Sequence, residues 1–553
     1  MDTQLSAGLR ARIKTSWAHL FKSEVFPILF KCEDQYAMLY GKTGRPNFSV
    51  ARVLGLILLQ EMNNLNDQEA LDAFGFDIRW RYALDTHEED AYLSRRSLVE
   101  FRRRLVTKDP EMTLVRGVFE SISKAAIEKL GLSTSEQRLD STHIISNIRL
   151  RGRLDLFSNT ITLFIKSLNQ DHFSLVPQPI REWYSYEPEG WFGLGQAQHK
   201  EKLDQVARYL YQLIMIFEND DEIKSGEPYQ LLVRLFQEQC ELHEIDTHDK
   251  KIILKKKTEG ETLQSPYDPD ASYGHKGSGY SAHITETCNN ADKPEIITDY
   301  EVHGAVRSDA GKALEIIERL ESAGSKPETL YADGGYPTVP SALKVIEKEI
   351  DFMTPVNRSR LADDVMGRYH FEFDSEGFVI GCPEGHSPID HRTLSAHNTT
   401  DRSLHAIFDG DICRACKVLD QCPVRAPNHR ERGCAARDTA GYFRLEITPQ
   451  LRLRDQMYSE QQRTEWKDRY KIRAGIEATM SELKRTHGIG KLRVRRAAKV
   501  CLAIACKVIA GNIKRWARAH MGSLCSKAQR ALNIILDYLY TFEANLTKIC
   551  FVL

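Results

Sequence analysis

Apolar positions recur with a helical period through the first 130 residues of the chain. "SVARVLGLILLQEMNNL" is continuously hydrophobic around a helix, and in "SRRSLVEFRRRLV" Ser97 and Glu100 have the spacing of a capping box. Next comes "QRLDSTHIISNIRL" (137–150), a short β-like run rich in Ile and Thr. Residues 151–265 return to helical periodicity in "DQVARYLYQLIMIF" and "YQLLVRLFQEQ". From 266 to 356 the pattern alternates between strands and helices. "GYSAHITETC", "EIITDYEVHG" and "ETLYAD" read as strands, "DAGKALEIIERLES" and "VPSALKVIEKEI" as helices. The stretch 360–460 reads as loops and turns. A charged helix follows, then a Cys- and Ala-rich apolar helix (497–519) and a helical tail.

The charged helix, "YKIRAGIEATMSELK", places Tyr470, Arg473, Glu477 and Lys484 at offsets of three, seven and fourteen residues. On an α-helix these fall near roughly 0°, 300°, 340° and 320°, one narrow stripe, with Glu482 near roughly 120° and facing away. A carboxylate beside an aromatic hydroxyl and two cations is unusual on a packing face. A plain solvated stripe of ion pairs is the simpler account.

Composition is that of a globular chain with room for several domains, 42% hydrophobic and 28% charged. No apolar run approaches a membrane span; "VCLAIACKVIAG" is interrupted by Lys507, and the N-terminus lacks the apolar core of a signal peptide. Twelve cysteines, five of them between Cys382 and Cys434, point to a reducing compartment and a local metal site. A cytoplasmic location follows as an expectation. The net charge of −1 says little about partners, but its distribution does. Residues 464–518 hold 15 Lys+Arg against 4 Asp+Glu, a local excess of 11 positive charges beside the acidic helix. That suits a polyanion held against a carboxylate centre.

Two further acids stand out. Asp140 lies in the strand "RLDST", and Asp333 ends the strand of "LYADGGYP", where Gly334 and Gly335 turn the chain. Taken singly, each reads as a turn or solvent-facing residue. Carboxylates on two strands and one helix of a single α/β block can instead converge on two divalent cations about 4 Å apart for displacement at phosphorus. His143, alternating along its strand, reads as a packed or exposed residue and is not included.

The ordered set Asp140, Asp333, Glu477 resembles the DDE triad of bacterial insertion-sequence transposases. The stripe matches the Y-x2-R-x3-E-x6-K signature of one large group of them at all four positions. "YGHKGSGYSAHI", "VRSDAGKALEIIERL" and "YADGGYPT" match further, and "GRPNFSVARVLGLILLQEMNNL" resembles their helical leader. The resemblance implies an α/β fold: an RNase H-like core, a mixed sheet flanked by helices, formed from 131–150, 266–360 and 461–520. An all-α N-terminal domain (1–130) would bind DNA ends. A helical insertion (151–265), a Cys-rich insertion (361–460) and a C-terminal tail (521–553) complete the chain. Asp140, Asp333 and Glu477 would hold Mg2+ or Mn2+. Arg473, Lys484 and Arg485 would contact phosphates, and Tyr470 would help fix the DNA end.

Cys413-x2-Cys416 is a typical metal-ligand knuckle, and Cys422-Pro423 echoes Cys382-Pro383. The favoured Zn2+ set is Cys382, Cys413, Cys416 and Cys422, with His386, His429 and Cys434 as substitutes; reduced structural cysteines without metal are the other account. Cys501 and Cys506 read as core. In the leader, Arg95, Arg96, Arg102, Arg103 and Arg104 suit a phosphate-contacting helix that packs through Leu98, Phe101 and Leu105.

The expected function is transposition: metal-dependent cleavage at the ends of a mobile element, then attack of the freed 3′-OH on target DNA. A homodimer bridging two ends and a cytoplasmic, nucleoid-associated location accompany it. A nuclease of the same fold without strand transfer, and a non-catalytic DNA-binding descendant, are the alternatives.

Overall fold

The computed structural model describes residues 6–41, 48–147, 152–185, 195–246, 249–256, 261–356, 366–395, 402–426 and 441–550. Val50–Asn63 (α1) is apolar almost all round, so it is buried almost all round, from Val50 through Met62. Ser49 caps its start and Asn64, in a left-handed conformation, ends it. Arg95–Lys108 (α2) buries Leu98, Phe101 and Leu105 as expected. Its cap is Ser94, whose hydroxyl accepts from Ser97 N, so the Ser97–Glu100 pair lies inside the helix. Glu100 instead binds Arg103 (2.7 Å) and Arg104 (3.0 Å), and Arg102 is held by Asp67 (2.9 Å). Arg95 and Arg96 remain exposed. Thr113–Leu130 (α3) completes this helical layer.

The central strand β1 (Glu136–Ile144) pairs antiparallel with β2 (Gly277–Thr287), and β2 pairs antiparallel with β3 (Ile297–Gly304). On its other side β1 runs parallel to β4 (Thr329–Ala332), which runs parallel to β5 (Asp351–Met353). Parallel neighbours need crossovers. Lys312–Ser322 (α4) and Val339–Glu347 (α5) supply them. The resulting order β3-β2-β1-β4-β5, with the short strand Ser272–Gly274 on β2, is the RNase H-like mixed sheet.

Each face of the sheet has its own core. Leu139, Leu330 and Ala332 pack beneath α4 and α5. Ile144, Tyr280 and Ile284 face the other way, into a core shared with the N-terminal helices, Ile476–Arg485 (α6) and Ala497–Cys550 (α7). The helix expected over 497–519 runs on without a break. No proline interrupts it, and Gly522 alone costs only about 1 kcal/mol. The 153–239 helices bury a separate core and end in a hairpin, Cys240–Asp246 with Asp249–Leu254, that periodicity did not announce. The stretch read as loops contains a three-stranded antiparallel sheet, Asp390–Ser395, Arg402–Asp409 and Tyr442–Ile447, around Ala406, Phe408, Phe443 and Leu445. No helix among the described residues is long and apolar enough to cross a membrane.

One buried ionic cluster joins sheet and helices. Glu286 on β2 is wholly buried and receives Arg138 of β1 (2.7 Å), Arg515 of α7 (3.0 Å) and the Thr479 hydroxyl of α6 (2.6 Å). Arg138 and Glu286 are directly opposite in the β1–β2 register. Arg515 also holds Glu482 of α6 at 2.9 Å. Removing one member leaves an uncompensated buried charge. Glu286→Ala should therefore lower the unfolding free energy by about 3–5 kcal/mol, read from urea denaturation. A loss below about 1 kcal/mol would mean that the cluster is screened like a surface pair.

Candidate active site

The parallel pairing of β1 with β4 ends at Leu139 opposite Ala332, and the next residue on each strand is an aspartate. Register alone thus puts Asp140, in the middle of β1, beside Asp333, just past the end of β4. Asp140 is largely buried and accepts from Ser141 N at 2.7 Å. Asp333 is exposed; its carboxylate accepts from Gly334 N (2.7 Å) and its carbonyl from the Thr354 hydroxyl (3.1 Å). Glu477, in the first turn of α6, is 69% exposed. Arg473 bridges two of the three, at 2.8 Å to Asp140 and 3.3 Å to Glu477. Burial raises the Asp140 pKa above the usual carboxylate range; Arg473 opposes the shift and nearby Asp333 adds to it.

The stripe is not one helix. Thr464–Tyr470 is α-helical, Lys471–Gly475 tightens into 3-10 geometry, and α6 then begins. The cause is Arg138, which takes the Ile472 carbonyl at 3.0 Å and lies against Gly475. The tightened turn still leaves Arg473 within reach of Glu477. Tyr470 stacks on Trp466 with ring centroids 4.7 Å apart, and its hydroxyl donates to the Ala332 carbonyl at 2.9 Å. It therefore braces the residue just before Asp333. Burial pushes its pKa up to about 12. Lys484 and Arg485 are exposed in the last turn of α6. Burial lowers the His143 pKa, and Lys276 and Lys484 lower it further, so both cations flank the end of β1. Sequence reasoning missed Lys276, although its motif "YGHKGSGYSAHI" was noticed, because nothing local marks an exposed lysine as facing a distant acid.

The donors fit a hard divalent cation in kind: three carboxylates from three elements, with oxygen ligands only. Arg473 stands where positive charge is called for, pairing with both Asp140 and Glu477 and leaving the three acids a net negative charge. The cysteines fit zinc in kind. Cys382, Cys413, Cys416, Cys422 and His386 line one cavity, without closing to the spacing of a bound ion. Cys382 Sγ accepts from His386 N at 3.3 Å, and Cys416 N donates to the Cys413 carbonyl at 3.2 Å, the tight turns of a knuckle. Burial, with the three neighbouring cysteines, pushes the Cys413 thiol up to about 12. His429 and Cys434 lie outside the described residues. Cys506 is buried and Cys501 half-buried against the main core.

Two segments of the chain match known families. Residues 381–517, which include Glu477 and the four cysteines, match the family described as "Transposase DDE domain". Residues 22–104, which include most of α2, match "Transposase domain (DUF772)". No curated protein matches the chain. Among solved structures, a piggyBac transposase in a synaptic complex with hairpin DNA aligns at 9% identity over 92% of this chain and 75% of that one, with a TM-score of 0.30. So remote a likeness leaves the fold to stand on the sheet order itself.

Gly475 is the tightest point of the site. A Cβ there would fall 2.0 Å from Arg138 Nη1, and Arg138 is pinned by Glu286 and Ile472. Gly475→Ala should cost about 1–3 kcal/mol of stability by overpacking. A urea midpoint equal to wild type would show that Arg138 has room to move.

Proposed function

We propose that the chain is a DDE transposase of a bacterial insertion sequence, cutting DNA at the ends of its element and joining the freed 3′-OH to target DNA. One observation carries the reading: two neighbouring aspartates set by register and a helix-borne glutamate lie around one guanidinium, Arg473, which pairs with Asp140 and Glu477. The two family matches, on either side of the Asp140 and Asp333 segments, support it.

Asp140, Asp333 and Glu477 would hold Mg2+ or Mn2+. Such an ion, when bound, activates the attacking oxygen and stabilises the departing one. Arg473 would give up Asp140 and Glu477 and turn to the phosphate backbone, with Lys484, Arg485 and Lys276 beside it. Tyr470 would keep the Asp333 strand end in place through Ala332. In the first reaction water attacks phosphorus and the bond to the 3′ oxygen breaks, leaving a 3′-OH. In the second, that 3′-OH attacks a target phosphate and a target 3′-OH departs. Arg95, Arg96 and Arg103, the exposed arginines of α2, suit the expected DNA-end contact. The cysteines would hold a structural zinc. A dimer spanning two ends, acting on the nucleoid in the cytoplasm, completes the proposal.

Glu477→Gln tests the site on DNA carrying the gene's own flanking sequence. Mg2+-dependent cleavage should fall on the order of a hundredfold or more with DNA binding retained. Equal cleavage by both proteins would remove Glu477 from the site. Cleavage without joining would favour the nuclease, and binding without cleavage by either protein the non-catalytic descendant. Lys484→Ala should weaken end binding and reduce the salt slope by about one phosphate contact. An unchanged slope would sink its clamp role.

A further inference from the structure

The face of the sheet opposite Asp140 carries a second cluster. Side chains alternate along a strand, so Ser141 points away from Asp140, and its register partner on β2 is His283. His283 is 1% exposed and His303, on β3, 6% exposed. Asp309 lies just before α4. The ligand atoms of these three residues all lie within 4.8 Å of one another, and no other set of three or more His, Cys, Asp or Glu among the described residues does so. His283 Nε2 faces His303 Nε2 at 2.6 Å and lies 3.7 Å from an Asp309 oxygen.

The outer atom of each residue is already anchored. His303 Nδ1 donates to the Gly304 carbonyl at 2.9 Å, which leaves the lone pair on Nε2. His283 Nδ1 meets the Tyr336 hydroxyl at 2.6 Å. The second Asp309 oxygen accepts from the Ser141 hydroxyl at 2.7 Å. Such outer partners are what orient metal-binding imidazoles and carboxylates. With His283 donating from Nδ1 to Tyr336, both Nε2 lone pairs and a carboxylate oxygen face one point, a donor set that a cation would hold together. Lys312, the cation nearby, is already held by Glu301 (3.2 Å) and Glu315 (2.5 Å).

We propose that His283, His303 and Asp309 form a metal site for a borderline divalent cation, Zn2+ first, separate from the carboxylate site. Two imidazoles and one carboxylate select such ions over Mg2+. The two nitrogens need to open to about 3.4 Å for tetrahedral metal–nitrogen bonds near about 2.1 Å. Tyr336 follows Asp333 by three residues and Ser141 follows Asp140 by one. A metal here would brace, from behind, both segments that carry Asp140 and Asp333.

Zinc content of the full-length protein tests this. After equilibration with Zn2+ and desalting, elemental analysis is run before and after an organomercurial, which displaces thiolate-bound zinc and leaves nitrogen- and oxygen-bound zinc. Wild type should keep about one mercurial-resistant equivalent per chain. The double variant Asp309→Asn/His303→Gln should lose it, and Glu477→Gln should keep it. No resistant zinc in wild type would overturn the proposal and leave a hydrogen-bonded histidine pair; that measurement needs no variant to fold. Equal retention by the double variant would overturn it too, as would loss in Glu477→Gln. The DNA-cleavage reading can fail without changing any of these outcomes.

Discussion

Glu286 is a carboxylate with no access to water, and its partners come from the strand that carries Asp140, the helix that carries Glu477 and the long helix behind them. Arg138 brings β1, Thr479 brings α6, and Arg515 brings α7. A buried charge is tolerated only when its oxygens are fully engaged, so these elements hold one another in a single arrangement. Arg138 extends the constraint by one more bond, to the Ile472 carbonyl, in the 3-10 turn that carries Arg473 and leads into the first turn of α6, where Glu477 sits. The site geometry therefore begins some distance behind the site, inside the core.

The three acids differ in environment although they share one chemistry. Asp140 is mostly enclosed, Asp333 is exposed on a turn, and Glu477 reaches into solvent from the first turn of α6. Enclosure raises the energy of a charged Asp140, and Arg473 offsets that. The guanidinium is an internal counter-ion to Asp140 and Glu477. Around the rim, Lys276, Lys484 and Arg485 form a basic border, which suits a chain of phosphates laid across an acidic centre.

β1 does two things because its side chains alternate. Asp140 faces the α6 side, while Ser141 reaches Asp309 on the α4 side, next to the two histidines. The loop after β4 is likewise two-sided, with Asp333 outward and Tyr336 buried against His283. Ser141 and Tyr336, which bond to the cluster, lie one residue from Asp140 and three from Asp333.

Much of this was legible in the chain. Alternation in "RLDST", the Gly-Gly turn after Asp333 and the offsets from Tyr470 to Lys484 are local patterns. Local patterns report which face a side chain takes and where a strand ends. Three-residue capping logic misplaced the start of α2, because Ser94 and Ser97 compete and only the packed helix decides between them. The 402–409 and 442–447 strands went unread since each is short and pairs with distant chain. What the sequence by itself determined was the set of candidate acids, their order and the basic stretch beside them. Tertiary structure alone decided that Arg473 bridges two of the acids, that Arg138 breaks the stripe into two helices, and that two histidines and an aspartate gather behind β1. Those contacts join residues far apart in the chain, and register and burial, which only the folded sheet supplies, bring them within bonding distance.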